Sequence, residues 1–150
     1  VEFRGLLRPL VRMVNEGLVS SEHPIEFRIS GDGGVVASEV ATSLSLVVTE
    51  LLQNAVEHAF PPDRLPYSEP LVAIELTRED DLIGVTVTDN GIGFVPSFDP
   101  TSDRRPDSLG QSIIHALVVD ELRGSIEYSL NGEGHGTKCT IRVSAHKFWE

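Results

Sequence analysis

The stretch from Glu39 to Phe60 most restricts what this chain can become, because apolar residues recur in it at helical spacing until Pro61-Pro62 ends the pattern. On a wheel of about 100° per residue, Leu44, Val48, Leu51, Leu52, Ala55 and Ala59 gather on one side. Glu50, Asn54 and Glu57 fall within about 60° of one another on the opposite side. Such a helix has to lay its apolar face on something, and the remaining segments predict a sheet.

Ile25 to Ser30 alternates apolar and polar residues and reads as a half-buried strand, turned by Gly31-Asp32-Gly33-Gly34. Leu71 to Thr77 and Leu82 to Thr88 read as a hairpin around the charged tip Arg78-Glu79-Asp80-Asp81. Ser125 to Leu130 and Thr137 to Val143 form a second strand pair around Asn131-Gly132-Glu133-Gly134. Two further helices are predicted. In the first, Phe3, Leu6, Leu7, Leu10, Met13, Val14 and Leu18 share a face, with Pro9 as a kink or a late start; the second runs from about Leu109 to Leu122. Between Asn90 and Asp107 the chain turns rich in glycine, aspartate and proline and carries Arg104-Arg105, a loop long enough to be functional or mobile. This order of elements implies one mixed sheet with helices on one face. Residues 145–150 read as a tail.

At 150 residues and 40% hydrophobic content the chain suits one core, burying roughly two-thirds of the surface exposed when unfolded. With 23 acidic against 12 basic residues, the formal net charge of −11 excludes the basic stripe a nucleic-acid partner would need. A phosphate-bearing ligand must then be small and held by local geometry. Cys139 is the single cysteine, which excludes an internal disulfide and points to a reducing, cytoplasmic compartment. No apolar run is long enough for a membrane span, and no secretory signal is read. A start at Val1 in mid-pattern reads as a piece of a longer polypeptide.

Three places carry candidate chemistry. The polar face of Glu50, Asn54 and Glu57 is either a solvated surface or a set of oxygens one turn apart that can hold a hard cation such as Mg²⁺; Asn54, a mediocre helix former, argues for the latter. Asp89-Asn90-Gly91-Ile92-Gly93-Phe94 follows directly on a strand. It is either a tight turn or a carboxylate placed to accept a bond from a ligand amine, which would favour adenine over guanine. Ser108-Leu109-Gly110-Gln111-Ser112 begins a helix, so it is either an ordinary Ser cap or a phosphate seat.

In order and spacing, Glu50-Leu51-Leu52-Gln53-Asn54-Ala55, then Asp89 to Phe94, then Ser108-Leu109-Gly110, then Gly134-His135-Gly136-Thr137 resemble the N box and the three glycine boxes of the GHKL ATPase superfamily. The resemblance runs over about residues 37 to 143. It implies the Bergerat fold: an α/β (α+β) two-layer sandwich with a mixed, mostly antiparallel sheet, about three helices on one face and a mobile lid over about 92–109. On this reading 1–150 is a single ATP-binding catalytic domain, with 1–36 a lead-in helix and strand, 37–143 the core and 144–150 a tail. ATP and Mg²⁺ are the implied cofactors. Asn54 would ligate Mg²⁺, Asp89 would bond the adenine amine, Gly91 and Gly93 would shape the base pocket, and Ser108, Leu109 and Gly110 would serve the phosphates. Thr137 would support Asp89, and His58 would pack beside the metal site.

Within the superfamily, Asn54 to Phe60 and Asp107 to Ile114 look most like the catalytic domain of actinobacterial cytosolic sensor histidine kinases. The implied activity is transfer of the γ-phosphoryl group to a histidine, with Glu50 as base or proton-orienting residue. The implied partners are a histidine-bearing dimerisation domain of the same protein, absent here, and a response regulator receiver domain, with no nucleic acid and no membrane contact. Two departures stand out: Glu57 occupies a position that is basic in many such kinases, where Arg104 or Arg105 would substitute, and the second glycine box has one glycine. The rival readings are an anti-sigma-factor serine kinase of the same fold and a nucleotide-binding module without transfer activity.

Overall fold

The computed structural model describes residues 1–18, 24–60, 70–91, 109–130 and 136–146. Five strands form its sheet: β1 (Glu26–Gly31), β2 (Leu71–Glu79), β3 (Leu82–Asp89), β4 (Ser125–Leu130) and β5 (Thr137–Ser144). Their spatial order is β1-β2-β3-β5-β4, with β1 and β2 parallel and every other pair antiparallel. A parallel neighbour needs a crossover, and helix α2 (Ser38–Asn54) provides it between β1 and β2. Helices α1 (Phe3–Leu18) and α3 (Leu109–His115) pack against α2. The expected mixed, mostly antiparallel sheet with three helices is the fold observed.

Strand alternation decides which face the helices cover. Val72, Ile74 and Leu76 of β2 pair in register with Asp89, Val87 and Val85 of β3, and Val87 and Val85 pair with Cys139 and Ile141 of β5. All of these are buried, and together they form the inner face. On the other face Glu75, Thr77, Lys138 and Arg142 are exposed. From the helix side Leu44, Val48, Leu51 and Leu52 close the core, as the wheel predicts.

Several elements differ from expectation. Helix α1 starts at Phe3 and continues through Pro9, so the proline neither delays nor ends it. Phe3, Leu7 and Val14 are buried, but Met13 is 57% exposed: α1 lies on α2 along a narrower stripe than its apolar periodicity suggests. Both later helices change pitch. A π-helical turn, Ala55–Ala59, follows α2, and another, Ala116–Glu121, follows α3, closed by Leu122 N–H donating to the Leu117 carbonyl at 2.9 Å. Finally, Ala145 is no tail residue. It is fully buried, its N–H donates to the Asp81 carbonyl at 2.6 Å, and its carbonyl accepts from Ala37 N–H at 2.8 Å, because the inner row of β5 carries on past Val143. No helix among the described residues is long and apolar enough to cross a membrane.

Candidate functional site

Asp89 is the last residue of β3 and continues the inner row begun by Ile83, Val85 and Val87. A carboxylate there is 7% exposed, at a position where the alternation would place another aliphatic side chain. Its Oδ1 accepts from the N–H of Gly91 at 3.0 Å and from the N–H of Thr137 at 3.3 Å. Burial raises its pKa above the ordinary carboxylate value, and the two backbone donors oppose that shift in part. Thr137 is brought there by β5 across 48 residues of sequence. Gly136 makes the approach possible: it sits at φ 105, and a Cβ on it would collide with the Asp89 carbonyl.

Helix α2 supplies the facing wall. Leu51, Asn54 and Ala55 line a cavity of about 30 Å³ with Val87 and Asp89 from β3 and Thr137 and Cys139 from β5. Asn54 is the last residue before the pitch changes. On the same wall, Gly110 packs so closely on α2 that a Cβ would stand 2.8 Å from Glu50 Oε2 and 3.9 Å from Asn54 Oδ1. The fold thus brings Asp89, Gly91 and Thr137 together at one end and Glu50, Asn54 and Gly110 at the other, with Asn54 and Asp89 on one cavity. The arrangement offers a buried acceptor for an amine, beside an amide oxygen and a carboxylate of the kind a hard cation accepts.

Other expected residues fare differently. Glu57 is exposed and lies outside the cavity lining, because the wider π turn breaks the 100° step on which its alignment with Glu50 and Asn54 was read. Gly93, Arg104, Arg105 and Ser108, with the proposed lid, lie outside the described residues, as do the side chains of His58 and Leu109. No cluster of three metal-ligating His, Cys, Asp or Glu side chains occurs among the described residues. Two lining residues had no role of their own from the sequence: Gln111, 3% exposed, named only within Ser108 to Ser112, and Tyr128. Gln111 could have been found, since it precedes Ile114 and Val118 by three and seven residues and so takes a core position with an amide.

Residues 39–147 match the family described as histidine kinase-, DNA gyrase B- and HSP90-like ATPases. The chain belongs to this family. Family members bind ATP. Asn54, Asp89 and Thr137, which the sequence resemblance assigned to three of the boxes, line one cavity. It is 39% identical over 126 residues to the sensor histidine kinase PdtaS of Mycobacterium tuberculosis, covering 84% of this chain and 24% of that protein. Its identity to PdtaS of Mycolicibacterium smegmatis is 36% over the same shares. The chain therefore spans about a quarter of the curated relatives it matches. Among solved structures, the histidine kinase domain of the blue-light activated kinase EL346 from Erythrobacter litoralis superposes with a TM-score of 0.75 at 25% identity, covering 95% of this chain and 65% of that one. The catalytic domain of the histidine kinase ThkA shares the fold, with a TM-score of 0.74 at 18% identity over 97% of this chain and 95% of that one.

Proposed function

We propose that the chain is the ATP-binding catalytic domain of a cytoplasmic sensor histidine kinase, which binds Mg·ATP and presents the γ-phosphoryl group to a histidine on a dimerisation domain, for onward signalling to a receiver domain. The observation that carries this reading is Asp89, a buried carboxylate at the end of an apolar row, sharing one cavity with Asn54. The likeness to sensor histidine kinases favours this acceptor over the serine of an antagonist protein.

Asp89 accepts a hydrogen bond from the adenine amine, while Thr137 and Gly91 hold the carboxylate in position through their N–H groups. Asn54 offers its amide oxygen to Mg²⁺, which would supply charge neutralisation between the phosphates. Glu50 sits one helical turn before Asn54, against Gly110, and would orient the proton leaving the acceptor imidazole. Gly110 leaves room for phosphate oxygens beside that carboxylate, and Gly93, Ser108, Leu109, Arg104 and Arg105 would complete the enclosure, with His58 packed beside the metal. The work of such a site is positioning and charge neutralisation.

The test is phosphotransfer by the full-length protein with Mg·ATP. Asn54→Ala should lower the transfer rate on the order of 100-fold, the scale of a lost metal contact. Full transfer by that variant would remove Asn54 from the metal site, and failure of the parent chain to bind ATP in calorimetry would remove the reading itself.

A further inference from the structure

The cavity beneath Asp89 is narrow beside the ligand assigned to it. Its volume is about 30 Å³, room for about two waters, whereas a purine is a fused two-ring system. Two of its lining residues, Gln111 on α3 and Tyr128 on β4, stand on different walls and are joined: the Tyr128 hydroxyl donates to Gln111 Oε1 at 3.3 Å. Gln111 occupies a core position, 3% exposed, in line with fully buried Ile114 and Val118. An amide is tolerated in such a place only when hydrogen-bonded, and a leucine would pack there at less cost. Tyr128 pairs in register with Cys139; burial holds the phenol neutral and able to donate, and pushes the Cys139 thiol up to about 12.

We propose that Gln111 and Tyr128 form a latch across the base pocket, so that a nucleobase enters only when their hydrogen bond opens and the strength of that bond sets nucleotide affinity. The proposal rests on the Asp89 cavity being the base pocket. Gln111 directly follows Gly110, which packs on Glu50 and Asn54, so opening the latch shifts the residue that borders the phosphate end. A polar pair is suited to this role because parting it exposes groups that water or ligand can satisfy, whereas parting two aliphatic side chains would leave apolar surface open.

Calorimetry with ADP and Mg²⁺ on the chain tests it. Tyr128→Phe keeps the ring and removes the donor, and should tighten ADP about three- to ten-fold, the ratio for one net hydrogen bond. Gln111→Met, similar in volume and without the acceptor, should tighten it to a similar degree. A lost contact of merely structural value would weaken binding or leave it unchanged, and either result overturns the latch. Asp89→Asn, measured alongside, separates the two readings: if it loses affinity while Tyr128→Phe gains none, the latch fails and the base pocket stands; if Asp89→Asn binds as well as the parent, the pocket assignment fails. Should Tyr128→Phe lose its cooperative thermal melt, Gln111→Met decides by the same criteria.

Discussion

Asp89 is a residue on which binding and stability pull in opposite directions. Burial raises its carboxyl pKa over the unfolded value of 3.8, so the folded state prefers the neutral acid. For a raised carboxyl pKa, the associated stability is complete below the unfolded pKa and is lost as pH rises through the folded pKa. Ionising the side chain is therefore a burden on folding that serves the ligand. Asp89→Asn should melt at or above the parent temperature at pH 7, with the gap closing as pH falls toward 4, as circular dichroism melts over a pH series would show. The same variant should bind ADP about 10- to 150-fold more weakly, the worth of one charge-assisted hydrogen bond. Parent affinity should itself decline as pH falls through the raised pKa, because a protonated Asp89 no longer accepts as a carboxylate. This residue was legible in the sequence, since a carboxylate that ends an alternating strand and precedes a glycine turn breaks a pattern. Gln111 broke a helical pattern in the same way, but a single amide before an apolar run also reads as ordinary surface.

At the scale of elements, the site depends on how α3 meets α2. The two helices approach until Gly110 touches the Glu50 carboxylate, a contact between residues 60 positions apart that no local pattern announces. Gly110→Ala places a methyl group 2.8 Å from Glu50 Oε2, the far end of a flexible side chain, so Glu50 swings aside and the fold survives. Phosphotransfer should fall on the order of 10- to 100-fold through misplacement of Glu50, and by more than ADP affinity, which the methyl group lowers only by narrowing the room for phosphate oxygens. Rapid-quench transfer assays set beside calorimetry would show that split; equal losses in both would place Gly110 in ground-state binding instead. The pitch changes after α2 and α3 belong to this scale too. Both helices were expected from periodicity, but a wheel of constant step carries Glu57 onto the polar face with Glu50 and Asn54, whereas the wider turn from Ala55 to Ala59 leaves it exposed. The strand limits were read to within one or two residues, because a period of two survives twist.

For the whole molecule, a net charge of −11 sets the long-range field against a polyphosphate. Without Mg²⁺, raising monovalent salt from a few millimolar to about 0.15 M, where the screening length is about 8 Å, should tighten ATP, contrary to the behaviour of a site built on basic residues. Salt-dependent calorimetry would decide it, and weakening on salt addition would show that a local basic cluster dominates the field. Composition, element order, alternation, the Asp89 turn and the Asn54 face follow from the sequence alone, because each rests on neighbours within a turn of helix or a few residues of strand. Tertiary structure alone decided the rest. It inserted β5 between β3 and β4, which brings the Thr137 N–H to Asp89. It buried Ala145 against Asp81 and Ala37, and it joined Gln111 to Tyr128 across the pocket. These are contacts between distant parts of the chain, each made when whole elements pack and not by the preference of any one segment.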